Sequence, residues 1–544
     1  MKADLTLQSS RQASRDHLDN SRAYAFARSV SGGVSRLLIG LFAWADACLE
    51  GSVIVRAANA VLGTWRNLAE GSLFVRLLWP YAKMVVVPFH GRVTVETALG
   101  LVLALACVVP TEIVMVMAAG VFVLFLWSRA RDVRSGKSTV LWAFPGFGIV
   151  VSALVVLLFI VGATLSSVAP SLSLYNMVLW FFYFFAFFMA ADASCRGRAE
   201  NVVWPFLTGA AFSALVGFYQ RLTGWTSPIA WVDDAFEETL VRVTGTFTNP
   251  IFFAEMMGLA LPLSIALLLA KRDWRDRLVL LGFTGLQGLG LLLSSTRGAW
   301  LGFAFAFCVL AVTYDWRMLP VGLVAGAVGL AFAPEIFVQR LLSSFSLTDT
   351  SNAYRVSIWR GSISMLKEYL FRGVGLGAEA FEKIYPEHMI IQTPTPHSHS
   401  TFLQFLIEVG LLGFVAMAVF FLIWLYDSLR TVYGERGKWG ARWAEVGIVS
   451  GAVAAVAGNL LHGVIDYTWY SPKVTVAFWV VVGVAAGVAS AKLRKTESSD
   501  GAGDDGNNRG ILVQGGPPGV WARGDRTGGG NGDREHKSRG RMPL

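Results

Sequence analysis

Residues 402–426, FLQFLIEVGLLGFVAMAVFFLIWLY, contain only two strongly polar side chains, Gln404 and Glu408. A helix needs about 20 predominantly apolar residues to cross a bilayer core, and this stretch exceeds that length. VLWAFPGFGIVVSALVVLLFIVGATL (140–165) is a second block of the same kind. Neither block alternates like a half-buried strand or shows the one-sided pattern of a surface helix. The whole chain of 544 residues is 54% hydrophobic and 15% charged, against about 25% charged in an average soluble domain. The composition predicts an all-α polytopic membrane protein.

Working outward, apolar segments fall near 95–109, 111–128, 140–165, 174–193, 202–220, 250–270, 278–294, 299–314, 319–333, 402–426, 444–462 and 474–491. That is about twelve transmembrane helices, of which the first and ninth are short. With the N-terminus inside, the cytoplasmic loops RARDVRSGK, CRGRAEN, KRDWRDR, DWRM and DSLRTVYGERGKWGAR hold 15 Lys or Arg. The five short loops on the other side hold four: Arg221, Arg242, Arg297 and Lys473. The asymmetry predicts that both termini are cytoplasmic. It also accounts for the net charge of +9 without nucleic acid. The first 30 residues are polar, so no signal peptide is expected there. Cys48, Cys107, Cys195 and Cys308 are scattered, which fits neither a disulfide framework nor a metal motif.

The expected organisation has five parts. Residues 1–94 are a basic cytoplasmic or interfacial region, with apolar stretches (36–48, 72–80) too short to span. Spans one to nine occupy 95–333 and spans ten to twelve 402–491. Residues 334–401, between spans nine and ten, form one large extracytoplasmic loop. Residues 492–544 are rich in Gly and Arg and read as a disordered cytoplasmic tail. Within the loop, Trp359, Ile363, Leu366 and Leu370 recur at helical spacing. They predict a helix on the membrane surface, with Arg355 at its start and Arg360 and Lys367 on a polar flank.

The span-ten helix is introduced by TPTPHSHSTFLQ (393–404). Pro394 and Pro396 hold the approach extended, and Thr401 with Gln404 reads as a capping box. His397 and His399 therefore sit at a helix mouth. Other polar groups in or beside spans are candidates too. Arg297 lies in the outward turn SSTRGAWLG, and Asn249 precedes Pro250 with Glu255 farther into span six. Glu408 lies two turns into span ten, and Asn459, His462 and Asp466 line the outer end of span eleven.

Each candidate has a plainer role. Arg297 can anchor to lipid phosphate, and Asn249-Pro250 can simply start a helix. Glu255 and Glu408 can hydrogen-bond between helices, and His462 and Asp466, four apart, can satisfy each other. His397 and His399 can bind zinc, though no further ligands are evident beside them. Convergence favours a site. Arginines on an outer turn and a surface helix, with histidines at a helix N-terminus, suit a diphosphate. A histidine among cationic groups is biased toward its neutral form, which can take a proton from a hydroxyl.

Taken together, RGAWL (297–301) as an R-x3-L element, His399 to Gly410 as an H-x10-G element, TGTFTNP, AYRVSIW and GVGLG resemble the O-antigen ligase and polymerase superfamily of bacterial envelope glycosyltransferases. The resemblance covers about residues 95–491. It implies an undecaprenyl-diphosphate-linked glycan as donor and a glycolipid or glycan hydroxyl as acceptor, on the outer face of the bacterial cytoplasmic membrane. Transfer would proceed with inversion, with no cofactor, metal or nucleotide sugar. His399 would be the general base, with His397 as backup or orienter, and Arg297, Arg355 and Arg360 would hold the diphosphate. Asn249, Glu255, Glu408, His462 and Asp466 would support them.

Two other activities remain open. The same scaffold can glycosylate protein, and twelve spans with Glu255, Glu408 and Asp466 can serve a secondary transporter. A transporter site lies at the midplane on interrupted helices, often between repeated halves. Here the candidates gather at the outer face and no repeat is visible. A scaffold in an envelope assembly would not depend on single histidines.

Overall fold

The computed structural model describes residues 32–33, 35–44, 95–138, 140–225, 242–343, 350–390, 392–434 and 443–504. The stretch 72–80 and most of the Gly/Arg-rich tail lie outside the described residues, whereas helix α1 (Ser35–Trp44) overlaps the expected 36–48 segment. Contacts separate residues 1–496 from 497–544, and the fold below is that of the first unit.

Among the described residues the regular elements are helices. They run α2 (Val95–Ala106), α3 (Thr111–Arg134), α4 (Phe147–Leu165), α5 (Pro170–Cys195), α6 (Ala199–Leu222), α7 (Pro250–Ala270), α8 (Trp274–Leu293), α9 (Arg297–Thr313) and α10 (Met318–Phe332). Then follow α11 (Glu335–Ser343), α12 (Thr350–Tyr369), α13 (Ala378–Ile384), α14 (Thr401–Gly434), α15 (Trp443–Ile465) and α16 (Pro472–Asp504). The chain is a multi-pass, all-α membrane protein. Each of the twelve expected spans falls on a helix, but among the described residues nine are long and apolar enough to cross a membrane. The other three, α2, α9 and α10, have 12, 17 and 15 residues. At 1.5 Å per residue, α9 reaches about 26 Å and α2 about 18 Å, short of a core of about 30 Å.

The bundle is drawn together by small residues, as expected where lipid competes equally for apolar side chains. Helices α9 and α15 touch backbone to backbone. A Cβ on Gly302 would lie 2.7 Å from the Gly458 carbonyl oxygen, and one on Gly458 2.6 Å from that of Gly302. Gly298, one turn earlier on α9, lies against His462 of α15. This close approach fixes the start of α9 relative to the end of α15.

Helix α14 is broken at Gly410, whose φ of 75° and ψ of 175° are not helical. The break frees the carbonyls of Ile407 and Glu408, which accept the N–H groups of Val374 (2.9 Å) and Gly375 (3.2 Å), and Leu411 N–H donates to Leu370 O (2.7 Å). Here GVGLG (373–377) docks on the broken helix. Gly410 and Gly373 both have positive φ, and their Cβ atoms would fall 2.4 Å from Phe371 O and 2.3 Å from Glu408 O. Only glycine fits both positions. The interruption thus receives a loop backbone.

Helix α12 forms where the spacing predicts, but it buries a neighbouring stripe. Ile358, Ser362 and Met365 are buried while Ile363 is 53% exposed. The stripe packs on Phe381, Tyr385 and Ile407 in a satellite core of its own, which outcompetes the alternative face.

At the end of the bundle opposite His399, Arg129 is 1% exposed. Its guanidinium pairs with Asp192 of α5 (Nη2–Oδ2 2.6 Å) and with Glu96 of α2. Arg129 is therefore an internal tie between three helices and not one of the interfacial basic residues with which its loop was counted.

Candidate active site

The start of α14 is held differently from the expected capping box. Ser400 caps the helix, its Oγ accepting Leu403 N–H at 3.4 Å. Gln404 reaches past Thr401 and accepts Ser398 N–H (2.8 Å). Thr401 Oγ1 instead donates to Asp466 O (3.1 Å) and accepts Thr468 N–H (2.9 Å). The histidine segment is thus fastened to the loop after α15. His399 has a φ of 51°, uncommon for a residue with a side chain. Its N–H donates to His397 Nδ1 (3.2 Å) and its carbonyl accepts the Trp359 indole N–H (3.4 Å).

That conformation turns His399 toward Asp466. His399 Nδ1 lies 3.6 Å from Asp466 Oδ1, Arg355 Nη2 lies 3.6 Å from Oδ2, and His462 Nε2 lies 3.9 Å from Oδ2. Asp466, 5% exposed, is the hub at which α12, the histidine segment and α15 meet. Burial by itself would raise the Asp466 pKa. The contact with His399 and the charges of Arg355 and His462 outweigh it and hold the carboxyl below the usual range. His397 is pushed down to about 3, first by burial, then by His399 and Arg355 against the opposing pull of Asp466. It is uncharged at neutral pH and serves as a hydrogen-bond acceptor for the His399 backbone.

The Arg297 turn is built by two arginines that the sequence pattern did not single out. Arg242 donates to Ser294 O and Thr296 Oγ1, both at 3.2 Å, and the buried Arg340 donates to Ser295 O at 3.1 Å. Arg340 lies in the short helix α11, where nothing in the sequence marks it. The adjoining Gly298 is so near His462 that a Cβ would stand 2.6 Å from Cδ2 of the imidazole. The backbone that follows Arg297 therefore packs on His462, which itself faces Asp466.

The other candidates separate. Asn249 caps α7, accepting Ile251 N–H at 2.8 Å with Pro250 in the first turn. Arg360 is exposed, about 140° around α12 from Arg355, and is not brought to the hub. Glu408 accepts from Gln404 (2.9 Å) on its own helix and from Tyr467 OH (3.2 Å) on another segment. Glu255 is 1% exposed, and neither oxygen has a hydrogen-bond partner among the described residues. The interhelical bridging expected of Glu255 is absent among the described residues.

A carboxylate facing one imidazole nitrogen fixes the ring and leaves the other nitrogen to take a proton. Arginine forks beside it can receive phosphate oxygens. Such a site can accept a hydroxyl proton while stabilising an anionic leaving group.

Residues 280–418 match the family model described as O-antigen ligase. The matched range holds Arg297, Arg355, His397, His399 and Glu408, and ends before His462 and Asp466. No curated protein matches the chain.

Proposed function

We propose, from the match of residues 280–418 to the O-antigen ligase family model, that this membrane protein is an enzyme that transfers or polymerises a glycan carried on undecaprenyl diphosphate. The reaction takes place at the outer face of the bacterial cytoplasmic membrane, with both termini cytoplasmic. An acceptor hydroxyl, on a glycolipid or on a growing glycan, attacks the anomeric carbon of the donor. His399 takes the hydroxyl proton, Asp466 orients its ring, and His397 holds its backbone. The bond from the anomeric carbon to the phosphate oxygen breaks with inversion, and the diphosphate departs on its polyprenyl chain. Arg297 and Arg355 neutralise the charge that develops there, the term that usually dominates such catalysis. No metal or nucleotide takes part.

The observation that carries this reading is the meeting of His399 and Arg355 on Asp466. It unites a base and a phosphate ligand from separate segments. The test uses purified protein with a polyprenyl-diphosphate oligosaccharide and envelope glycolipids. Release of polyprenyl diphosphate by wild type and its disappearance in His399→Ala is the expected result. Equal release by both proteins, or none from wild type, overturns the proposal. A ladder of products identifies a polymerase and a single conjugate a ligase.

A further inference from the structure

Beside the histidines lies a cavity of about 280 Å³, near the lower end of the range of roughly 300–1,000 Å³ for small-molecule sites. It opens between the start of α5, the loop entering α13, Glu408 of α14 and the loop after α15. Its walls are aromatic and acidic. Trp180 and Trp469 form the deep side, 5% and 7% exposed, and Tyr175 stands at the rim, 61% exposed. Asn176 and Glu379 meet at 3.2 Å on one edge, and Glu408 closes the interior. The indole N–H of the buried Trp469 has no hydrogen-bond partner among the described residues.

The lining discriminates between ligands. No Lys, Arg or His belongs to it, and two carboxyl groups do, so its lining offers no cation to a diphosphate. Flat aromatic faces pack against the C–H-rich face of a pyranose, while carboxylates and an amide oxygen accept its hydroxyl protons and a free indole N–H donates to its oxygens. The far wall is shared with the proposed site. Tyr467 and Tyr470 line the cavity, and their rings lie 5.5 and 4.8 Å from that of His397. A sugar bound here is one ring's width from the histidines.

We infer that this cavity is a sugar subsite, taking an uncharged, hydroxyl-rich ring next to the unit at which transfer occurs. The inference rests on the transferase reading for its role, and on the cavity itself for its ligand. The sugar belongs either to the acceptor or to the donor glycan, and the two are separable. Full-length protein in detergent is titrated with free core oligosaccharide released from the envelope glycolipid. A parallel titration uses free repeat-unit oligosaccharide released from the donor, and ligand-observed NMR reads binding in both. Tyr175→Ala and Glu379→Gln change exposed side chains and leave the core untouched.

One of the two saccharides is expected to bind wild type saturably. Its affinity should fall about tenfold in each variant, the loss of one good contact, and stay unchanged in His399→Ala. Whichever saccharide responds names the source. Saturable binding that both variants retain, or no binding to wild type, overturns the subsite. Polyprenyl diphosphate release is followed in the same preparations. Release by wild type with unweakened saccharide binding in the variants removes the subsite alone. Weakened binding without any release removes the transfer reading and leaves a sugar site.

Discussion

Asp466 and His399 face each other at 3.6 Å from opposite sides of a 67-residue separation. The carboxylate just past α15 approaches an imidazole just before α14, and in the proposed mechanism it orients that ring. Asp466→Asn keeps the size of the side chain and removes the charge that fixes the ring. Turnover should fall about 10²–10⁴-fold, the usual worth of a positioned general base, with KM for the donor little changed. Steady-state kinetics on the purified variant checks this, and near-normal turnover would remove Asp466 from the mechanism.

His397 supplies a pH signature. Its folded pKa, pushed down to about 3 from 6.5 by burial and by His399, means that folding favours the neutral ring. A depressed value contributes stability that is complete above the unfolded pKa and is lost as pH falls toward the folded one. Wild type should therefore lose melting temperature in detergent as pH drops from 6.5 toward 3. His397→Gln should start lower and show a flatter profile. Parallel profiles for the two proteins would contradict this.

Arg355 and Arg360 are five residues apart on α12 but point in different directions. Arg355→Lys should lose most activity despite its retained charge, because a guanidinium fork binds phosphate oxygens in a way an ammonium does not. Arg360→Ala should stay within about twofold of wild type, as exposed substitutions usually do. Donor KM and turnover for both variants decide the matter, and an equal loss in Arg360→Ala would return it to the site.

The helical fold was legible in the sequence because apolar spans and the H-x10-G spacing are local patterns. The count of twelve spans exceeds the nine helices of spanning length among the described residues because apolarity does not measure length: α2, α9 and α10 are hydrophobic yet under 18 residues. The histidines were visible as polar residues beside a span, and Arg355 as the basic start of a surface helix. That Asp466 sits at the centre of them was not, since it depends on how α14 and α15 cross. Arg340, buried on a short loop helix, carried no periodic signal. The role of Gly410 was half readable. The spacing identified it, but only the backbone of Gly373 lying against it explains why no side chain fits.

Gly410→Ala should therefore be severe. It forces a side chain into positive φ, at a cost of about 1–3 kcal/mol, and drives a Cβ to 2.4 Å from Phe371 O. Gly120→Ala, in α3 with nothing within 4 Å, is the control and should melt like wild type. Thermal melts of the two variants in the same detergent test the docking of GVGLG on the broken helix. Equal melting temperatures would show that the interlock is dispensable.

At the other end of the bundle, Arg129 holds Glu96 and Asp192 where no catalytic group is placed. Removing one partner of a buried ion cluster leaves uncompensated charge and costs about 3–5 kcal/mol. Arg129→Met should thus lower the melting temperature and the yield of folded protein. Turnover per folded molecule should remain, because the site at the α14–α15 end does not use it. Activity normalised to the monodisperse fraction separates the two effects. A turnover loss that persists after normalisation would mean that the two ends of the bundle are coupled.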